Sequence, residues 1–156
     1  MLKDNFSKWK KWENRNEFDN INFPGIYCIA ISKIDINETI FNWSENIKYI
    51  GMTNSKGGLK SRLRQFDYTI IGKTGHGGAD RFRFKHQNYN ALVEDLYVAV
   101  WPVLCDVKSN EPKDLRIMGE VAKSEYDCFA IYVEKFGSLP EFNQRESPKY
   151  SLSYEK

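Results

Sequence analysis

Apolar positions along this chain follow two periods. Ile26-Tyr27-Cys28-Ile29-Ala30-Ile31 is an unbroken run of β-branched, aromatic and small residues, and it follows the Pro24-Gly25 break. Such a run predicts a strand at or near the centre of a sheet. A second run over residues 47–52 and a third over residues 96–104, with Val98, Val100 and Val103, predict two more strands. Between them the period changes. Leu59, Leu63 and Phe66 recur at i, i+4 and i+7 after the turn signal Asn54-Ser55-Lys56-Gly57-Gly58, which predicts an amphipathic helix. Residues 112–136 form a longer helical pattern, closed by Gly137 and Pro140.

The remaining segments are less regular. Phe6, Trp9 and Trp12 or Glu13 fall at helical spacing and predict an N-terminal helix over residues 5–18. Residues 32–46 are polar and acidic and make a long connection with room for an extra hairpin. Gly72-Lys73-Thr74-Gly75-His76-Gly77-Gly78 is too rich in glycine for a regular element and is expected to be a loop whose backbone lies close to a ligand. The tail from residue 144 to 156 is polar and expected to fray. Strand, connection, strand, helix, strand, helix gives an α+β fold.

At 156 residues the chain fits one domain with a single core. The pattern divides it into an N-terminal helical extension (1–22), a core domain (23–143) and a polar tail (144–156). With 41% hydrophobic and 28% charged residues the composition is that of an ordinary globule, and no apolar run approaches a membrane span. The N-terminus lacks the apolar core of a secretory signal, so a cytoplasmic protein is expected. Cys28, Cys105 and Cys128 are odd in number and set among apolar residues, which points to reduced thiols and away from a disulfide framework or zinc site.

A net charge of +2 is too mild to identify a nucleic-acid binder. Its distribution is more informative, because basic residues gather over 56–64 and again over 81–86. Lys56, Lys60, Arg64, His76, Arg81, Arg83 and Lys85 are the expected phosphate contacts, and a solvated face is the alternative. Glu125 is the most informative residue of the long helix. It lies inside the apolar stripe of Val121, Cys128, Phe129, Tyr132 and Phe136, and a carboxylate facing a core pairs with a cation or binds a metal.

Two tripeptides complete the picture. Gly25-Ile26-Tyr27 and Tyr49-Ile50-Gly51 each belong to a predicted strand and set two tyrosines on neighbouring strands. They are followed by a helix with Arg62, a third strand, a helix with Glu125, and the sequence Phe136-Gly137-Ser138-Leu139-Pro140-Glu141-Phe142-Asn143. This order resembles the GIY-YIG endonuclease domain, over residues 24–143. The resemblance implies a small three-stranded antiparallel sheet flanked by helices. It also implies a catalytic set of Tyr27, Tyr49, Arg62, Glu125 and Asn143.

The implied chemistry is metal-assisted hydrolysis of DNA, duplex or branched. A divalent cation, Mg²⁺ by this reading, would be held by Glu125 and water, and Arg62 would hold phosphate oxygens with a planar guanidinium. Tyr27 or Tyr49 would position or deprotonate the attacking water, provided that cations lower its pKa from about 10. One site cuts one strand, so double-strand cleavage would need a homodimer or sequential nicking. The chain departs from the family at Phe66, where many members carry a histidine four residues after the arginine. A tyrosine or His76 would then handle the proton, or the protein would bind and regulate without efficient cleavage.

Overall fold

The three apolar runs become the long strands of one antiparallel sheet, and a fourth, short strand joins them. A computed structural model describes residues 2–150. Its strands are β1 (Lys10–Lys11), β2 (Gly25–Ile31), β3 (Ile47–Thr53) and β4 (Leu96–Pro102), in the order β1-β4-β2-β3. The expected three-stranded sheet is therefore four-stranded. β2 is hydrogen-bonded on both sides and buried at every residue except Ile31, as its unbroken apolar run required.

Helices cover both faces of this sheet. α1 (Gly58–Ile71) and α2 (Gly77–Lys85) pack with Tyr27 and Ile29 of β2 around Leu63, Phe66 and Phe82. The other face carries Ile26, Cys28 and Ala30 against Val121, Cys128 and Tyr132 of α4 (Pro112–Phe136). A short α3 (Tyr89–Glu94) leads into β4. The alternation of β2 side chains thus feeds two cores, one on each face.

A register shift assigns the β3 residues to these cores. Ile29 pairs with Tyr49 and Ala30 with Ile47, so β3 carries one extra residue, Lys48. The bulge moves Ile47 to the α4 face, with Ile50, while Tyr49 stays on the α1 face. Without it Ile47 and Tyr49, two apart, would share a face.

The expected helix over residues 5–18 is replaced by a 3₁₀ turn (Leu2–Asn5), β1 and a second 3₁₀ turn (Trp12–Asn14). The reason lies in the sheet. Trp9 is buried in the core beneath α4, whereas Trp12 is buried in the core beneath α1, so the segment crosses from one face to the other. One helix stripe cannot serve two opposed faces. Its backbone is bonded instead to β4 and to the long connection, with Ser7 N donating to Val100 O at 2.8 Å and Glu38 N to Trp9 O at 2.7 Å.

The connection over residues 32–46 contains no strand, contrary to the extra hairpin allowed for it. It is held by aromatic packing, with the Phe41 ring 4.3 Å from Phe6 and 5.2 Å from both Trp9 and Trp43. On the opposite side, buried Asp67 of α1 accepts hydrogen bonds from Trp12 Nε1 and from the Tyr89 hydroxyl, each at 2.8 Å, and pairs with Arg15 at 3.2 Å. A buried carboxylate needs such partners, and these three tie the N-terminal segment and α3 to α1.

The glycine-rich stretch is a loop only as far as Gly75. His76 is the N-cap of α2, its side chain accepting the Ala79 N–H, and α2 carries Arg81, Arg83 and Lys85. Among the tail residues, Tyr150 N donates to Asp80 O of α2 and Ser147 Oγ to Glu141 O of a 3₁₀ turn (Glu141–Asn143), so the tail is tied back at both points. Residues 151–156, the rest of the predicted tail, lie outside the described residues. Cys28, Cys105 and Cys128 are free thiols. No helix among the described residues is long and apolar enough to cross a membrane.

Candidate functional site

Two tyrosines, an arginine, a histidine and a glutamate converge where β3 forms the sheet edge between α1 and α4. Register brings the tyrosines together: Tyr27 lies opposite Gly51, and Tyr49 opposite Ile29. The two tyrosines are therefore diagonal neighbours on one face, with ring centroids 6.0 Å apart.

Glycine makes room for both rings. A Cβ on Gly51 would stand 2.5 Å from Tyr27 Cζ and Oη, and one on Gly78 would stand 2.3 Å from Tyr49 Cε2. Gly51 is thus required because the Tyr27 phenol lies over its Cα. Gly78 was not among the predicted site residues. The only signal for it was the Gly77-Gly78 pair after His76, which sequence reasoning assigned to a loop.

His76 carries two expectations, a phosphate contact and a replacement for the histidine missing at Phe66. It was expected to contact nucleic acid, but only 1% of its surface is exposed. Its ring instead meets Phe66, Tyr49 and Tyr27 edge-on, and its Nε2 is 2.7 Å from Tyr27 Oη. The Ala79 N–H donates to Nδ1 at 3.1 Å, which leaves the proton of the neutral ring on Nε2. Burial, followed by the charge of Arg62, pushes its pKa down to about 3, so the ring is neutral throughout the physiological range. Nε2–H therefore donates to Tyr27 Oη, and the Tyr27 proton is directed elsewhere. Tyr27 in turn lowers the pKa of its neighbour Tyr49.

Burial dominates both tyrosines. It raises Tyr27 well above 10, reinforced by Tyr49 and opposed by the charge and hydrogen bond of Arg62. Tyr49 is only partly buried and is also raised, against the lowering pull of Arg62, Tyr27 and Arg81. The cations act in the direction that a tyrosine base requires, but desolvation outweighs them. Arg62, half-buried on α1, also donates from Nη1 to Gln65 Oε1 at 2.9 Å.

Glu125 reaches this cluster from the opposite face of the sheet, at the β3 edge. Two bonds fix α4 along that edge: Tyr132 Oη donates to Ile47 O at 3.1 Å, and Asn54 Nδ2 to Met118 O at 3.0 Å. Glu125 lies between them. Burial pushes its pKa up to about 7, opposed by Arg62 and by a hydrogen bond from the Met52 backbone.

Asn143 has a different role from the other four. Its Oδ1 accepts Ile50 N–H at 2.8 Å and its Nδ2 donates to Ile50 O at 2.9 Å, so both polar atoms are committed to the edge of β3, next to Tyr49. This amide acts as a one-residue extension of the sheet. Asn143→Ala should leave both backbone groups without a partner and destabilise the fold by about 1–3 kcal/mol. Asn143→Asp should be at least as harmful, because a carboxylate oxygen would face the Ile50 carbonyl. Urea unfolding of the three proteins measures both effects.

The predicted phosphate contacts divide into two groups. Lys56, Lys60 and Arg64 are exposed. On α2 the cations are occupied: Arg81 donates to Phe142 O at 3.1 Å, and Lys85 pairs with Glu141 at 2.7 Å. Arg83 bonds the carbonyls of Ile70 and Ile71 and lies 4.6 Å over the Tyr150 ring. Arg83 is thus a cap on the C-terminal end of α1, which explains its charge without a nucleic acid.

No group of three or more His, Cys, Asp or Glu able to hold a metal ion occurs among the described residues. The donor set is a single carboxylate beside two phenols. That set suits a hard cation such as Mg²⁺, which keeps several waters and takes one or two carboxylates together with substrate phosphate oxygens. Comparison with known protein families, characterised proteins and solved structures gives no match to this chain.

Proposed function

We propose that this protein is a metal-dependent endonuclease of GIY-YIG type that hydrolyses DNA phosphodiester bonds. The observation that carries the reading is the meeting of Tyr27, Tyr49, Arg62 and Glu125 at one edge of the sheet, although they come from four separate elements. Phosphodiester hydrolysis builds negative charge on a pentacoordinate phosphorus. Arg62 holds two of its oxygens with a planar pair of donors. Glu125 would hold a divalent cation, which supplies Lewis-acid stabilisation of the phosphate and the leaving 3′ oxygen.

Tyr49 is the tyrosine better suited to orient the attacking water. It is the less buried of the pair, and it lies beside Tyr27, which accepts from His76 Nε2 and lowers the Tyr49 pKa. Tyr27 and His76 act through it and are positioning residues. His76 thereby offers a substitute for the histidine missing at Phe66, which is itself fully buried against Trp12, His76 and Phe82.

Binding without efficient cleavage is the second reading, favoured by the raised pKa values of both tyrosines. Incubating supercoiled plasmid with the protein and Mg²⁺ separates the two. The nuclease reading expects nicking that Arg62→Ala and Glu125→Ala each reduce at least a hundredfold, as removal of one charge that stabilises the transition state would do. Retained gel-shift binding with no nicking in any of several divalent metals would establish the second reading instead.

A further inference from the structure

The outward face of α1 has a composition that the core and the catalytic cluster leave unexplained. Around the helix, Leu59, Leu63, Phe66 and Ile70 are fully buried, while Lys60, Arg64, Gln65, Tyr68 and Ile71 are exposed. The single acid of α1, Asp67, is buried and committed to Trp12, Tyr89 and Arg15, so the exposed face carries no negative charge. Lys60, Arg64 and Tyr68 follow one another at i+4, with Lys56 in the turn ahead of them. At the far end, Lys73 Nζ lies 4.9 Å over the Tyr68 ring.

Some surface cations elsewhere are matched with acids: Lys10 with Glu38, Lys33 with Asp95, Lys85 with Glu141 and Lys123 with Asp127. Others, such as Lys8, Lys108 and Arg116, make no ion pair among the described residues, but they are not aligned along one helix face with an exposed aromatic ring. Lys56, Lys60 and Arg64 make no ion pair among the described residues. Arg62 stands at the border of the same face, bonded to Gln65. The row of cations is therefore continuous with the candidate catalytic cluster.

We infer that this face of α1 is a track for a single-stranded flank of the nucleic-acid substrate, with Lys56, Lys60 and Arg64 on alternate phosphates and Tyr68 as a stacking platform for an unpaired base. The identification of the polymer rests on the proposed nuclease function. An i+4 step advances about 6 Å along a helix, and a DNA strand rises about 3.4 Å per nucleotide, so Lys60 and Arg64 match about every second phosphate. Tyr68 is 46% exposed and lies in line with the cations, where it can cover the face of a base that has left its stack. A paired base presents no such face, which makes a strand end or a duplex–single-strand junction the substrate that uses the whole track.

Fluorescence anisotropy in EDTA tests this without requiring cleavage, using a labelled oligodeoxynucleotide as a single strand and as a blunt duplex. The double variant Lys60→Glu, Arg64→Glu should bind the single strand at least tenfold more weakly. Its slope of log affinity against log salt should flatten by about 1.4, at about 0.7 for each phosphate that is no longer neutralised. Tyr68→Ala should weaken single-strand binding about five- to a hundredfold with the slope unchanged, and leave the blunt duplex within about twofold. Lys123→Glu on α4 serves as the control and should bind as wild type, with circular dichroism checking the fold of each variant.

Unchanged affinity and slope in the double variant would overturn the track, as would equal weakening of duplex and single strand by Tyr68→Ala, or absence of wild-type binding at low salt. Failure of plasmid nicking with these binding effects intact would remove the nuclease reading and leave the track standing. Nicking that depends on Arg62 and Glu125, with no effect of the track variants on binding, would do the reverse.

Discussion

Alanine at position 78 should slow plasmid nicking at least a hundredfold while the protein stays folded. The added Cβ would stand 2.3 Å from Tyr49 Cε2 and 2.6 Å from Cζ, so the ring must move by about an ångström to restore contact distance. A displacement of that size at a reacting centre costs about a hundredfold in rate. Stability should change much less. Gly78 sits in the first turn of α2, where alanine is the better helix former by about 1 kcal/mol, and this offsets part of the about 1–3 kcal/mol of overpacking.

Gly51→Ala should have a similar effect through Tyr27, whose Cζ and Oη would both stand 2.5 Å from the new Cβ. Gly119→Ala provides the control, because nothing lies within 4 Å of a Cβ at that position of α4, and the substitution should leave nicking unchanged while raising the melting temperature. Nicking rates and thermal melts of the three variants measure the contrast. Wild-type nicking by Gly78→Ala would remove Tyr49 from the reaction.

Glu125→Gln should abolish nicking and at the same time stabilise the protein above pH 7. Burial raises the Glu125 pKa from its ordinary 4.5 to about 7. Between these values the folded protein binds the proton more tightly than the unfolded chain, so stability falls as pH rises through that window. Below about pH 4.5 the group is protonated in both states, and above about 7 the cost of a half-buried charge is fully present. Glutamine keeps the shape without the charge and removes the fall. Melting curves without divalent cation should therefore nearly coincide near pH 4.5 and separate in favour of Glu125→Gln at pH 8. A wild type whose stability relative to the variant is independent of pH would show that Glu125 is well solvated. Such opposition of stability and activity is expected where a charge is kept in a core for its function.

The resemblance to one endonuclease family was carried by Tyr27, Tyr49, Arg62, Glu125 and Asn143, and the structure brings the first four together. It gives Asn143 to the edge of β3, and among the residues expected to meet phosphate it buries His76 and commits Arg83 to a helix end. Spacing along the chain could not make this division. Whether a cation is free depends on which carbonyls and carboxylates the fold sets beside it, and Arg83 meets carbonyls of α1 twelve and thirteen residues earlier in the chain.

What the sequence determined by itself is the set of elements with a strong single period. β2, β3, β4, α1 and α4 are legible because each buries one continuous run or one helical stripe, and local alternation records that burial directly. The N-terminal segment, α2 and the partner of Tyr27 were decided by tertiary structure alone. Trp9 and Trp12 have helical spacing yet serve opposite faces of the sheet, and a glycine pair that looks like a loop opens a helix, where a side chain at Gly78 would meet the Tyr49 ring. In both cases packing between distant segments outweighed local propensity, since burying an aromatic side chain is worth more than the about 1 kcal/mol that separates glycine from alanine in a helix.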